Sequence, residues 1–187
     1  MRIIAGHHRG RKILPPKGQA TRPITDRAKQ SLFDILTPLL PNALVYDCFA
    51  GTGSLGLESL SRGCDSVTFF ESDRSALSLL HANIAVLRLA DRSRVIPTDL
   101  FQWFASAHPP APADIIFLDP PYRFLNQRPA DLLTLAKHIS QLHLAPTGLL
   151  IFRHHTSHAL PLPSLLLTDS RSYGSMTLDF LSQPPPT

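Results

Sequence analysis

Little in this sequence could hold it together covalently. Of its 187 residues only two are cysteine, Cys48 and Cys64, which excludes a disulfide-stapled scaffold. Cys48 falls at the end of one predicted strand and Cys64 just before its neighbour. A five-residue strand is ~16 Å long, so the pair lies beyond the ~7 Å reach of a bridge. The histidines of His7-His8 and His154-His155-His158 lack cysteines at finger spacing, and no metal site is expected. No apolar run approaches the ~20 residues of a membrane span. The stretch Met1-Arg2-Ile3-Ile4-Ala5-Gly6-His7-His8-Arg9 holds no apolar segment long enough for a secretory signal. The expectation is a soluble, cytoplasmic protein. Glycine and proline, at 9 and 18 residues, are too few for a low-complexity or collagen-like chain. With 43% hydrophobic and only 17% charged residues, a core can form and global disorder is excluded. The length suits one domain with at most a small appendage.

What charge there is lies unevenly. Residues 1–30 hold eight bases (Arg2, Arg9, Arg11, Lys12, Lys17, Arg22, Arg27 and Lys29) against one acid, Asp26. The remainder carries more acids than bases, so the overall +4 combines a basic arm with a mildly acidic body. Such an arm neutralises phosphates and releases their counterions, which makes nucleic acid the first partner to consider; a solvated tail is the plainer reading.

The arm, roughly residues 1–20, alternates weakly and turns between Gly6 and Gly10, which reads as a basic hairpin closed by Pro15-Pro16 and Gly18. Thr25 has the form of an N-cap, with Asp26 in the first turn and Ala28, Leu32, Ile35 and Leu39 at helical spacing. From residue 44 strands and helices alternate. Strands are predicted over 44–48, 66–70, 94–96, 115–118 and 149–152, with further strand-like runs near 164–169 and 172–181. Helices are predicted over 54–62, around Leu77–Leu87, briefly after Asp99, and over 130–143. This alternation specifies an α/β domain, residues 21–183, with a mostly parallel sheet wrapped by helices. Residues 184–187 read as a disordered tail.

Two motifs carry chemistry. Gly51-Thr52-Gly53-Ser54-Leu55-Gly56 follows the first strand and opens a helix. Glycines let backbone N–H groups and the helix N-terminus approach a ligand closely. Glu71, 20 residues after Gly51, ends the second strand, where a carboxylate suits the ribose hydroxyls of an adenosine. A nucleoside-containing cofactor follows, with NAD and S-adenosylmethionine both open and a purely structural glycine turn as the lesser alternative. Asp119-Pro120-Pro121-Tyr122 then ends the fourth strand. The prolines set a stiff loop whose carbonyls are free to accept. The Asp119 carboxylate and Pro120 carbonyl match the two hydrogens of an exocyclic amine, and Tyr122 offers a stacking face for an extruded base. That chemistry favours S-adenosylmethionine over NAD. A strand-terminating Pro-Pro turn with a buried tyrosine is the bland alternative. Asp99 suits either the adenine amino group or a helix cap, Asp47 either the cofactor or a brace for the loop, and Arg123 and Arg128 either phosphate or solvent.

Arg22-Pro23-Ile24-Thr25-Asp26-Arg27, Leu32-Phe33, Asp47 through Glu58 and Asp119 through Tyr122 together resemble the RsmD-like family, bacterial 16S ribosomal RNA guanine-N2 methyltransferases. The likeness extends from Arg2-Ile3-Ile4-Ala5-Gly6 to Tyr173-Gly174-Ser175-Met176. It implies a class I S-adenosylmethionine-dependent methyltransferase fold, Rossmann-like, with a seven-stranded sheet whose strand 7 is antiparallel and with an N-terminal hairpin. It further implies S-adenosylmethionine as donor and S-adenosylhomocysteine as product. The acceptor would be a guanine of 16S rRNA in the 30S subunit or its assembly intermediate, modified by a monomer. By the same resemblance Gly51, Thr52 and Gly53 line the methionine part of the cofactor, Glu71 the ribose and Asp99 the adenine. Thr25 and its neighbours would close over the cofactor, and Asp119, Pro120 and Tyr122 hold the base; Asp47 would bind the cofactor indirectly, by fixing the glycine loop. Arg2, Arg9, Arg11, Lys12, Lys17, Arg22 and Arg123 are the expected RNA contacts. Two positions depart from the family pattern: Gln30 stands where an acid is common, and Arg153, after the fifth strand, stands where glutamate is usual. Adenine-N6 or protein-glutamine methylation, an NAD-dependent oxidoreductase and an inert RNA-binding protein are the competing readings.

Overall fold

A computed structural model describes residues 1–16, 24–106 and 111–185. The apolar runs form seven strands: β1 (Leu44–Cys48), β2 (Ser66–Glu71), β3 (Ser93–Pro97), β4 (Ala113–Leu118), β5 (Leu144–His155), β6 (Leu166–Tyr173) and β7 (Met176–Ser182). Between them run α1 (Asp26–Leu36), α2 (Ser54–Ser61), α3 (Arg74–Leu87), α4 (Leu100–Ser106), α5 (Tyr122–Gln127) and α6 (Pro129–His138). The strands lie in the order β3-β2-β1-β4-β5-β7-β6. The first five are parallel, and β7 inserts antiparallel to both β5 and β6. This is the expected α/β architecture.

Successive strand residues point to opposite faces, and both faces here are apolar, as a helix-covered sheet requires. In β4, Ile115 and Phe117 join the core under α1, α2 and α3, while Ile116 and Leu118 join the one under α4 and α6. Gly56 shows how closely α2 packs: a Cβ there would lie 2.3 Å from Phe69 Cε1 and 2.8 Å from Val67 Cγ1. Thr25 caps α1 as expected, its hydroxyl accepting from the Ala28 N–H at 3.2 Å. Both cysteines are buried and free.

Several boundaries differ from the sequence expectation. Strand β5 extends past 152 because β7 continues its ladder, pairing Arg153, His154 and His155 with Leu178, Thr177 and Met176. Arg153 therefore sits within the strand rather than after it. The helix expected over 130–143 stops at His138 and runs on as a π-helical turn, Ile139–His143. Helix α5 was not expected. Its six residues are too few for a visible period, and it starts from Pro121, whose carbonyl accepts the Phe124 N–H at 2.8 Å.

The basic N-terminal segment turns back on itself through one bridge, Arg2 to Lys12. It is seated on the domain rather than extended from it, with Ile3 and Ile13 buried in the core. The fully buried Glu58 carboxylate of α2 accepts the Ile4 and Ala5 N–H groups at 2.8 and 3.0 Å. It also pairs with Arg62 Nε at 2.9 Å and with buried Lys29 Nζ at 3.4 Å. Lys29 in turn donates to the Arg2 carbonyl at 2.7 Å. Gly6 permits the contact: a Cβ there would sit 1.8 Å from the Ser61 carbonyl oxygen. Lys17 and Arg22 lie outside the described residues.

Candidate active site at the β1–β4 crevice

The strand order reverses between β1 and β4, and ligands in open α/β sheets bind outside the strands' carboxyl ends at such a point. The two sequence motifs meet there, joined by an Asp119 N–H donating to the Cys48 carbonyl at 3.4 Å. One cavity of about 180 Å³ is lined from the β1 side by Asp47, Phe49, Gly51 and Thr52 and from the β4 side by Asp119, Pro120, Tyr122 and Arg123. Arg153 of β5 also lines it. A second recess of about 60 Å³ holds Glu71, Asp99, Phe101, Phe124 and Arg128, with Phe49 shared between the two.

Phe49 is the hinge of this division. It adopts φ 61°, a left-handed conformation that costs of order 1–3 kcal/mol in a bulky residue and concentrates at functional loops. Its ring meets Phe101 and Phe124 edge-on, each at 5.9 Å between centroids. Arg128, partly exposed, lies over Phe101 at 4.0 Å and pairs with Asp131 at 2.7 Å. The sequence reading missed Phe49 and its two ring partners; φ leaves no mark in composition, and the rings converge from β1, α4 and α5.

The expected cofactor residues hold the loop as well as line it. Glu71 accepts the Gly51 N–H at 2.7 Å through Oε2, and the Ser72 and Asp73 N–H groups at 2.8 Å through Oε1. A carboxylate has about four lone-pair sites, so capacity remains for hydroxyls. Asp99 Oδ1 accepts the Phe101 N–H at 2.9 Å at the start of α4 while facing the recess. Thr25 lies apart from both cavities; its neighbour Ile24 lines the first, and Thr25 lines a groove beyond Tyr122.

Asp47 is buried and accepts the Gly56 N–H at 2.9 Å, which makes it a brace between β1 and α2. Burial pushes its carboxyl up to about 8, opposed by the Gly56 N–H and reinforced by Asp119 and Glu71. An unfolded aspartate titrates near 3.9, so the folded protein keeps this proton across the interval between. The stability that this group contributes is full below the unfolded value and is lost as pH rises toward 8. Asp47→Asn, neutral at every pH with the same acceptor, should gain in melting temperature relative to wild type as melts move from pH 5 to 8. Asp47→Ala leaves the Gly56 N–H unsatisfied and should cost about 1–3 kcal/mol at any pH.

Asp119 is only partly exposed. Burial raises its carboxyl and the Arg153 guanidinium lowers it. Arg153 Nη1 lies 2.7 Å from Asp119 Oδ2, and Nη2 lies 3.5 Å from the Tyr122 hydroxyl. Arg9, Arg11 and Lys12 are exposed on the N-terminal turn, where the His7 and His8 N–H groups donate to Ser61 at the end of α2 away from the glycine loop, while Arg123 lines the cavity beside Phe124 at 5.5 Å and Arg2 pairs with Asp26 at 2.9 Å. Among the described residues no helix is long and apolar enough to cross a membrane.

A parallel sheet with one inserted antiparallel strand, carrying a glycine loop after β1 and an Asp-Pro-Pro-Tyr loop after β4, defines the class I methyltransferase fold. The family described as Conserved hypothetical protein 95 matches residues 1–182, and the chain belongs to it, the RsmD-like family whose motifs it carries. "Putative rRNA methyltransferase YlbH" of Bacillus subtilis is 33% identical over 180 residues, covering 93% of this chain and 94% of its own. "Ribosomal RNA small subunit methyltransferase D" of Escherichia coli is 42% identical over 123 residues, 66% of this chain and 61% of that protein, so the chain matches under two thirds of this relative's length. The solved structure of "Putative methyltransferase yhhF" from Escherichia coli superposes with a TM-score of 0.85 at 32% identity, covering 100% of this chain and 99% of the other.

Proposed function

We propose that this protein transfers a methyl group from S-adenosylmethionine to the exocyclic N2 of a guanine in 16S ribosomal RNA. The observation that carries the reading is the meeting of Asp119 and Pro120 with the glycine loop in one cavity. The names of the relatives favour ribosomal RNA, and a structural neighbour that shares the fold at 14% identity is described as a putative methyltransferase complexed with SAH.

The donor supplies an electrophilic methyl on a sulfonium, whose sulfur keeps the bonding pair. The residues present fit it: Gly51 and Thr52 line the cavity, Gly53 turns the loop into α2 at φ 83° with its Cα against Leu80, Asp47 braces that loop through the Gly56 N–H, and Glu71 and Asp99 line the aromatic recess for ribose and adenine. Ile24 would close the approach. On the acceptor side the Asp119 carboxylate and the Pro120 carbonyl take the two N2 hydrogens, turning the nitrogen lone pair out of conjugation with the ring. Tyr122 stacks on the extruded base. Nitrogen gains positive charge as the methyl arrives, and the adjacent carboxylate stabilises it and then takes the N2 proton that must leave, passing it to solvent. Arg9, Arg11 and Lys12, with Arg2, Lys17, Arg22 and Arg123, supply salt-dependent affinity for rRNA without reading sequence. The N-terminal arm (1–20) thus serves the methyltransferase domain (21–183), acting as a monomer on the 30S subunit or its assembly intermediate.

Deleting the gene from its host and mapping 16S rRNA by mass should reveal one guanine that has lost a methyl group. Loss of N6-methyladenine, or of a methylated glutamine in a protein, would replace this reading with another amino-group acceptor.

A further inference from the structure

Arg153 is an arginine on a central strand of the sheet, 8% exposed, in a place where a charge is costly unless it has a task. Its guanidinium reaches both groups assigned to the base: Nη1 is 2.7 Å from Asp119 Oδ2, and Nη2 is 3.5 Å from the Tyr122 hydroxyl, with the guanidinium carbon 5.6 Å from the tyrosine ring centre. Arg153 and Tyr122 also form the wall between the active-site cavity and a neighbouring groove of about 450 Å³ lined by Thr25, Arg27 and Tyr173. We propose that Arg153 is a positioning residue for methyl transfer, fixing Asp119, which grips the amine, and Tyr122, which faces the ring, as one unit. The inference rests on the base-binding reading given above.

Three observations support it. A planar guanidinium with several N–H donors can serve two acceptors in a fixed relation, which a lysine point charge does less well. The strand holds it rigidly, since Arg153 pairs with Leu178 in the β5–β7 ladder. The charges around Asp119 also single it out. Asp47 faces it from β1, Tyr122 and Arg123 belong to α5 and line the same cavity, and Arg153 of β5 is the cation in contact with the carboxylate. Burial favours the protonated form of the Asp119 carboxyl, which would donate where it must accept, and the Arg153 guanidinium opposes that. One oxygen engaged by Arg153 still leaves acceptor capacity for a substrate N–H.

The test is Arg153→Met, matched in length and without charge, beside Arg153→Lys. Misplacement of a reacting group by 1 Å can cost about 10²-fold, so kcat of Arg153→Met near neutral pH should fall by about 10–100-fold. The deficit should shrink as pH rises, because Asp119 without its cation ionises later. Carboxyl-labelled NMR of the ligand-free protein should show Asp119 titrating higher in Arg153→Met than in wild type, and Arg153→Lys should sit between them. Affinity for S-adenosylhomocysteine by calorimetry should stay within about threefold, since that ligand is placed on the glycine side. Unchanged kcat, an Asp119 titration that does not move, or a deficit equal at all pH values and matched by lost homocysteine-analogue affinity would each overturn the proposal. If Arg153→Met fails to fold, Arg153→Gln, which keeps a planar N–H donor without charge, carries the same readouts. Wild-type protein that methylates no guanine defeats the underlying reading instead, whereas an active wild type with an unmoved Arg153→Met profile defeats this inference alone.

Discussion

Asp119→Ala is expected to lower methyl transfer by about 10²–10³-fold or more, the scale of removing one electrostatic contact to a transition state, while cofactor affinity changes little. The separation follows from geometry. Asp119 stands at the tip of β4 beside Arg153, whereas the groups assigned to the cofactor lie on the β1 loop and in the Glu71–Asp99 recess. On the reading proposed above, alanine removes the carboxylate that would orient the amine and meet its developing charge, and leaves the Pro120 carbonyl in place. Asp119→Asn should be intermediate, because its amide oxygen still accepts without bringing a charge. Single-turnover transfer beside calorimetric titration with S-adenosylhomocysteine separates the two effects. Near-normal turnover in Asp119→Ala would remove the carboxylate from the chemistry.

Glu58→Ala is expected to be the most damaging change outside the cavity. One carboxylate there holds the Ile4 and Ala5 N–H groups, Arg62 and the buried Lys29. Burial lowers the Lys29 ammonium, and Glu58 is the chief opposing influence. Removing one partner of a buried pair leaves an uncompensated charge, at about 3–5 kcal/mol. For a chain of this size that corresponds to a fall of roughly 6–20 °C in melting temperature. The N-terminal segment should loosen first, since two of its N–H groups lose their acceptor. Accelerated hydrogen exchange at Ile4 and Ala5, together with the lower melting temperature, is the check. Glu58→Gln keeps an acceptor but no charge and should fall between. A melting temperature within a degree or two of wild type would mean that Ile3, Ile13 and the contacts to Ser61 and Asn83 hold the basic segment without Glu58.

Much of the fold could be read directly from the chain because its signals are local. Ile115-Ile116-Phe117-Leu118 is apolar on both faces, as only a strand covered twice requires, and Thr25 announces α1 through a side chain three residues from its partner. The glycine loop and the Asp-Pro-Pro-Tyr turn were legible for the same reason, each being a short run whose backbone needs are written in residue type. What escaped depends on partners distant in sequence. Arg153 and Asp119 are 34 residues apart, and Glu58 and Ile4 are 54 apart. Nothing in either neighbourhood signals the pairing. The basic segment looked like an arm because its charges are conspicuous, while the two isoleucines that seat it are ordinary apolar residues until Glu58 is seen beneath them. The reach of β5 through Arg153 was set by β7, which comes later in the chain.

The central claim is that the Asp119–Pro120 tip grips the 2-amino group of a guanine beside a bound methyl donor. Its most direct measurement is labelled-methyl transfer by the purified protein to small ribosomal subunits from the deletion strain, with the labelled nucleoside identified by mass. Wild type should form a single product, N2-methylguanosine, and Asp119→Ala should form none. Label recovered in an adenine, in ribose or in protein, or in N2-methylguanosine at equal yield from Asp119→Ala, would contradict it.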